Sequence, residues 1–392
     1  MIAKIAIIIL ICILFPDIFL YKVVVFRNKG RKGSKVWRYV WWLPTILLVI
    51  YTIWFCTIKT FVPINGIHLR VFFFLLSIFV LPKLVATILM LLSLAFRKSI
   101  ISRALRIGTV VILIIMYYIL FMGTQIGALS DIKIRNIEFR SKDLPESFSG
   151  YKIIQFSDLH LGTYLLPKDK EIVEDLVNKI NGEEGDLIVF TGDIQNMIPD
   201  EIAPYERILE NLKAKDGVVS ILGNHDYSQY SGLEGEEAER SVLNTINLEK
   251  EMGWIVLLNE NIKIRRGEDE ITIAGMENDG DGKHFPQKGD VRKTLGMEEE
   301  EGFIVMLQHD PSGWRRKILG ECNAQITLSG HTHGGQIVMF GWSPVAWKYK
   351  EWGGVYQEED GRMLNVSTGV GGVVPFRFGV KPEICVITLY PE

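Results

Sequence analysis

Four apolar stretches, each near the ~20 residues a helix needs to cross a bilayer, fill the first third of this chain: roughly residues 2–25, 41–58, 71–96 and 107–128. Soluble helices rarely follow one another four times without a polar face. The first stretch is too long for a signal peptide, and no small-residue cleavage pattern follows it. Residues 1–130 therefore read as a transmembrane region of about four helices, and the protein as a multi-pass integral membrane protein whose first partner is the lipid bilayer.

Charge divides the chain the same way. Residues 1–130 hold 15 of the 43 Lys/Arg and a single acid, Asp17, a net of +14; the remaining 262 residues carry −17. A domain that acidic repels polyanions, so nucleic acid is excluded as a partner. Eleven basic residues lie in two loops on one side of the apolar stretches (Lys22 to Arg38, Arg97 to Arg106), against Lys4, Lys59 and Arg70 on the other. The positive-inside rule puts the basic loops in the cytoplasm and everything after residue 128 outside it. Trp37, Trp41 and Trp42 fit an interfacial belt. Asp17 and Lys83 sit at matching depths, and intramembrane charges are usually paired, so the two are expected to pair, with Pro82 kinking the third helix.

Residues 131–150 read as a linker that holds the following domain close to the bilayer. From 151 onward, short β-rich runs alternate with amphipathic stretches, the pattern of a layered α/β fold. Two acidic, Gly-rich segments, 232–239 and 277–289, read as surface loops. Cys12 and Cys56 lie in apolar runs, which leaves Cys322 and Cys385 with at most one bridge and no disulfide framework.

The polar chemistry gathers where apolar strands stop. After YKIIQF come Asp158 and His160; after DLIVF, Gly192 and Asp193; after VVSIL, Gly223, Asn224, His225 and Asp226; after FIVML, Gln308, His309 and Asp310; after QITL, Gly330, His331, Thr332 and His333. Ligand sites of α/β sheets form outside the carboxyl ends of strands. Five of the seven histidines fall in these junctions, each with an Asp, an Asn or a second His nearby. Carboxylates, imidazoles and one amide suit Mn, Fe, Zn or Co rather than calcium, and the absence of a thiolate argues against a structural zinc site.

The ordered set D-x-H, G-D, G-N-H-D, a lone His and G-H-T-H resembles the calcineurin-like metallophosphoesterases over residues 151–392. The run Gly334-Gly335-Gln336 and the closing segment 369–383 resemble the membrane-associated bacterial branch. The resemblance implies a four-layer α/β/β/α metallophosphoesterase sandwich, here preceded by the four-helix transmembrane region. It implies two divalent metal ions, the first held by Asp158, His160 and His333, the second by Asn224, His309 and His331, with Asp193 bridging. It further implies a phosphodiesterase-like hydrolase in which a hydroxide between the metals attacks phosphorus, His225 serves the leaving oxygen and Asp226 orients His225. No motif departs from the family pattern, which argues against a dead enzyme. Arg377 is a candidate substrate contact.

Location favours a phosphorylated lipid, an envelope pyrophosphate or a small phosphorylated molecule as substrate outside the cytoplasm. The alternatives are a cytoplasm-facing pyrophosphatase of nucleotide-sugar lipids and a non-catalytic metal-binding membrane sensor. Residues 340–352 carry Phe340, Trp342, Trp347, Tyr349 and Trp352 with Lys348 and Lys350 interspersed. Aromatic rings with flanking lysines favour the boundary between lipid and water, so this loop is expected to form a lip of the site, with Trp347 touching lipid or substrate.

Overall fold

The computed structural model describes residues 5–25, 35–58, 63–96, 99–126, 131–164, 166, 169–283, 285–296 and 302–392. The chain divides into two compact units, residues 1–125 and 126–392.

The first unit is helical: α1 (Ala6–Leu20), α2 (Lys35–Thr57), α3 (Pro63–Leu75), α4 (Leu81–Ala95) and α5 (Ile100–Ile126). Among the described residues four segments are long and apolar enough to cross a membrane: Ala6–Val23, Tyr39–Thr57, Gly66–Ala95 and Ile100–Thr124. The third runs through α3 and α4, joined by a π-helical turn at Leu76–Val80 just before Pro82. A proline inside a helix has no N–H to give the carbonyl four residues back and clashes with it, and π-bulges are a common way to absorb the disruption. Within this turn the carbonyl of Ile78 accepts a hydrogen bond from the Tyr117 hydroxyl at 3.1 Å.

The expected charge pair forms. Lys83 Nζ lies 2.5 Å from Asp17 Oδ1, Thr45 donates its hydroxyl to the other carboxylate oxygen, and the ammonium sits 5.1 Å from the Trp41 ring centroid. Tyr21 packs against Trp41 and Trp42; the side chain of Trp37 lies outside those described. His68 is on α3, its ring 4.9 Å from that of Trp54.

The second unit contains twelve strands: β1 (Lys133–Ser141), β2 (Tyr151–Phe156), β3 (Leu187–Phe190), β4 (Val218–Ser220), β5 (Ile255–Val256), β6 (Glu260–Arg266), β7 (Asp269–Gly275), β8 (Phe303–Leu307), β9 (Ile326–Ser329), β10 (Gly354–Gln357), β11 (Met363–Val366) and β12 (Glu383–Pro391). They form two six-stranded sheets, ordered β1-β12-β2-β3-β4-β5 and β10-β11-β9-β8-β7-β6. The strands β2, β3 and β4 run parallel, as do β7, β8 and β9. Parallel strands buried on both faces read as unbroken apolar runs, which is why LIVF and FIVML contain no exposed residue. Ile153, Val189, Val219, Ile273, Val305 and Leu328 fill the space between the sheets. On the outer face of the first sheet, Phe156 and Phe190 pack under Val173, Leu176 and Ile180 of α6 (Asp169–Gly182). On the outer face of the second, Ile304 and Met306 meet Trp314 and Ile318. The result is the expected α/β/β/α sandwich.

Two sequence expectations change. Residues 131–150 are not a free linker, because β1 pairs in parallel with β12 over its nine residues, from Lys133↔Glu383 to Ser141↔Pro391. Its KIRNIEFRS sequence is half-exposed at a sheet edge, so it lacks the apolar signature of the inner strands. The strand β10 was not anticipated either. All four cysteines are free, Cys385 buried within its strand and Cys322 partly exposed beside the outer cluster.

The intramembrane pair yields a prediction. In thermal unfolding of the full chain in nanodiscs, Asp17→Asn and Lys83→Leu each lower stability, and the double variant loses less than their sum by at least about 0.5 kcal/mol. Strictly additive losses would show that the two charges do not support one another.

Candidate metal centre

The cluster is built by the ends of five strands. β2, β3 and β4 of the first sheet lead into Asp158 and His160, Asp193, and Asn224 and His225. β8 and β9 of the second lead into His309, and His331 and His333. Asp158, His160, Asp193, His331 and His333 all adopt positive φ, between 51° and 72°. Such backbone is costly for residues with a Cβ and concentrates at functional sites; here it turns each side chain back over its strand end. Gly330 is required by close approach, since a Cβ there would come 2.5 Å from Asp158 Oδ2. Gly192 has φ +93°, and its added Cβ would meet the backbone of Gly223.

Three overlapping groups place one ligand atom per residue within 4.8 Å of one another: Asp158, His160 and His333; His160, Asp193 and His225; Asp193, His309 and His331. Asp193 Oδ2 is 3.6 Å from His160 Nε2 and 3.3 Å from His309 Nε2, so it stands between the two sides. Asn224 Oδ1 lies 3.2 Å from His309 Nε2 and 2.7 Å from His331 Nδ1. Its amide nitrogen donates to the Tyr230 hydroxyl, which turns the oxygen inward. His333 Nε2 is 3.2 Å from His160 Nε2 and 3.6 Å from Asp158 Oδ1.

Hydrogen bonds fix which imidazole nitrogen carries the proton. His160 Nδ1 donates to the Gln195 carbonyl at 3.2 Å, His309 Nδ1 to that of Thr191 at 2.7 Å, and His225 Nδ1 to that of Asn196 at 2.6 Å. Each Nε2 is then left as a lone pair. His331 is reversed: its Nε2 faces the Tyr349 hydroxyl at 2.8 Å and Asp310 Oδ2 at 3.5 Å, so Nδ1 is the inward atom. Lone pairs facing one another at these distances repel unless a cation lies among them. His333 Nδ1 is buried without a hydrogen-bond partner. This donor set fits a divalent metal.

The protein's own charges are strained by this crowding. Burial pulls His160 down to about 3, with the His225 imidazole adding to it, and pulls His331 down to about 4. Burial lifts Asp158 to about 7, the charge of Asp193 adding to the rise against the pull of His309. Burial opposes ionisation of Asp193 too, but His309 and His225 outweigh it and hold that carboxylate well below its usual range. The same contact raises His309 to about 10 against its own burial.

Two expected roles are not met. Asp226 does not orient His225. Its carboxylate accepts backbone N–H groups from Asp193 (2.7 Å), Gly223 (2.8 Å), Ile194 (3.0 Å) and Gln195 (3.3 Å), and the imidazole is held by the Asn196 carbonyl instead. Arg377 is no substrate contact: its guanidinium is buried and donates to the carbonyls of Gly369, Gly371 and Lys381. Trp347 is 83% exposed, with its ring 5.1 Å from that of Trp342. Asp279 is taken by Arg316 and Lys317, and His284 lies outside the described residues.

Sequence reasoning missed several supporting residues. Tyr349 reaches His331 and Asp310, at 2.8 and 3.3 Å. Tyr230 packs on His225 with ring centroids 4.5 Å apart, and Phe285 lies 5.3 Å from His331. Asp310, directly after His309, carried the one readable signal.

A twin-sheet sandwich with this N/O cluster at one edge defines a metal-dependent phosphohydrolase. Residues 151–335 match the calcineurin-like phosphoesterase family, and the chain belongs to it. A metallophosphoesterase of Bacillus subtilis, YkuE, is 33% identical over 260 residues, covering 64% of this chain and 82% of that protein. A Danio rerio transmembrane protein with a metallophosphoesterase domain is 28% identical over 292 residues, 72% of this chain and 62% of its own. A metallophosphoesterase of Aquifex aeolicus is 26% identical over 278 residues, 69% and 98% respectively.

The cluster's dependence on Asp226 can be measured. Asp226→Asn keeps the shape but turns an amide donor toward backbone N–H groups, so it should cost about 2 kcal/mol or more of stability and lower the Mn²⁺ bound per chain. Unchanged unfolding and metal content would refute this role.

Proposed function

We propose that the chain is a membrane-anchored phosphoesterase that hydrolyses phosphoester or pyrophosphate bonds, in a phosphodiesterase-like manner, on lipid or envelope substrates outside the cytoplasm. The observation that carries the reading is the placing of Asp193 between two sets of inward lone pairs, which would suit two adjacent cations. Asp158, His160 and His333 would hold one ion, Asn224, His309 and His331 the other, and Asp193 both. Two divalent cations so bound supply neutralisation of the phosphoryl oxygens and a nucleophilic water at neutral pH.

The chain's own groups do the rest. Asp158 accepts the His331 backbone N–H at 3.0 and 3.1 Å on its two oxygens, which ties the ligands from one sheet to those from the other. The Asp193 oxygen that does not face His160 and His309 accepts the His225 N–H at 2.8 Å. His225 is partly exposed, and with Nδ1 committed to Asn196 its Nε2 is the atom that would take up a proton from solvent and pass it to the leaving oxygen. Tyr230 packs on the His225 ring, and Phe285 stands beside His331 with the Lys348 ammonium over its face.

The bilayer setting follows from the four candidate membrane segments, and the membrane-domain architecture of the zebrafish relative is in keeping with it. The outward orientation rests on the eleven basic residues against three. A C-terminal alkaline phosphatase fusion should be active and a green fluorescent fusion dark; the reverse pattern would put the domain in the cytoplasm.

The chemistry is tested with the full chain and bis(p-nitrophenyl) phosphate under Mn²⁺. Turnover is expected, and His225→Ala should lower kcat by about 10²–10⁴ with metal content unchanged. His333→Ala should remove part of the metal together with most activity. No turnover with Mn, Fe, Zn or Co, or full metal retention in His333→Ala, would overturn the assignment.

A further inference from the structure

The segment that follows His333 ends in a small apolar finger. Met339 and Trp342 pair across a two-residue turn, with Met339 N donating to Trp342 O at 2.8 Å and Trp342 N to Met339 O at 3.0 Å. The turn residues, Phe340 and Gly341, have φ +52° and +78°. Positive φ at both positions marks the tight hairpin turn that favours Asn-Gly or Gly-Gly. A phenylalanine there is conformationally disfavoured, and this one is fully exposed. Neither property helps the fold, so the residue needs another reason.

Its surroundings supply one. Met339, Trp342 and Trp347 are exposed beside it, the two indoles in edge contact. The hairpin is braced from behind by pairing of Ile337 with Phe378 and by Gln336, whose amide donates to the Val374 and Phe376 carbonyls. Lys350 is exposed on the same loop, with no ion pair to an acid among the described residues, while the Lys348 ammonium lies 4.4 Å over the Phe285 ring and 5.0 Å over that of Tyr349. The loop then turns inward, and the next residue after Lys348, Tyr349, is buried with its hydroxyl on His331. One short segment therefore presents aromatic rings and Lys350 outward, and through Lys348 and Tyr349 it packs around His331.

We propose that the finger at Phe340, with Met339, Trp342 and Trp347, inserts into the surface of a phospholipid bilayer, and that Lys350 meets anionic headgroups. The partner is a bilayer because the apolar tip is too small to bury a protein face, because aromatic rings beside lysines match the lipid boundary, and because the chain itself carries four segments able to cross one. The proposal deepens the reading above and rests on it for the membrane-anchored setting. Its consequence is that the mouth of the cluster opens at the lipid surface, so the favoured substrates are phosphorylated lipids whose headgroup is hydrolysed while the acyl chains stay in the bilayer.

The test uses the full chain with Cys12→Ser, Cys56→Ser and Cys322→Ser, in vesicles of phosphatidylethanolamine with a minority of phosphatidylglycerol. An environment-sensitive fluorophore is attached at Phe340→Cys, or at Glu268→Cys in the β6–β7 turn, at the opposite end of β7 from the cluster. The label at 340 should emit as from an apolar medium and be quenched several-fold more by doxyl-labelled lipid than the label at 268. Adding Lys350→Glu should reduce that difference. A water-like, unquenched label at 340 would overturn the proposal. So would a shielded label that lipid does not quench but that transfers energy between copies, which would assign the finger to a second chain. Hydrolysis of bis(p-nitrophenyl) phosphate by the same preparations reports separately on the chemistry: quenching without turnover would leave the docking intact and sink the enzymatic reading.

Discussion

The site depends on a carboxylate that stands behind the inward-facing groups rather than among them. Asp226 lies at the foot of the cluster, wholly buried, and gathers the N–H groups of Asp193, Ile194, Gln195 and Gly223. Those bonds hold the backbone after β3 in the left-handed turn that aims the Asp193 carboxylate at His160 and His309. A non-glycine residue in that region costs roughly 1–2 kcal/mol, whereas a hydrogen bond to a charged group contributes about 1.5–3 kcal/mol. The strain of one such turn is therefore easily offset. The same loop supplies the Gln195 and Asn196 carbonyls that fix the tautomers of His160 and His225. One buried acid thus sets the position of the Asp193 carboxylate and the protonation of two imidazoles.

The interior between the sheets serves the same end. The core there is apolar except for a chain of amides. Arg135 on β1 donates to Asn365, Asn365 to Gln155, and Gln155 to the Thr191 hydroxyl and the Ser329 carbonyl. The Thr191 carbonyl in turn receives His309 Nδ1. Buried polar groups are tolerable when each finds a partner, and these also lock the strand ends in register below the ligands. The half-exposed strand β1 therefore contributes more than an edge.

That strand shows where sequence reading stops. The inner strands were legible because burial on both faces leaves only apolar residues, and the polar residues after them stand out by contrast. β1 alternates charged and apolar residues, and its place is set by β12, some 250 residues later in the chain, a pairing that no local pattern announces. The pairing of Asp17 with Lys83 was legible, since two lone charges at one depth in lipid have few alternatives. The work of Asp226 was hidden because it depends on a left-handed turn after another strand. Arg377 misled for the opposite reason: an arginine in a glycine-rich loop looks available, yet the carbonyls around it consume the guanidinium. Tyr349 carried no signal because its partner, His331, lies across a loop whose path the sequence does not specify.

The division of ligands between the sheets has a consequence for how the enzyme is built. Asp158, His160, Asp193 and Asn224 follow strands of the first sheet, while His309, His331 and His333 follow strands of the second. Each proposed cation would take groups from both. With protein charges alone, the two carboxylates repel one another and burial disfavours protonation of most of the imidazoles, so the edge where the sheets meet carries unfavourable electrostatics. A cation that accepts both sets of lone pairs removes that penalty and links the sheets at once, making metal binding part of folding stability as well as chemistry. The strained strand ends are then held open for the metal by the Asp226 loop and the amide chain, and closed upon it by ligands the two sheets share.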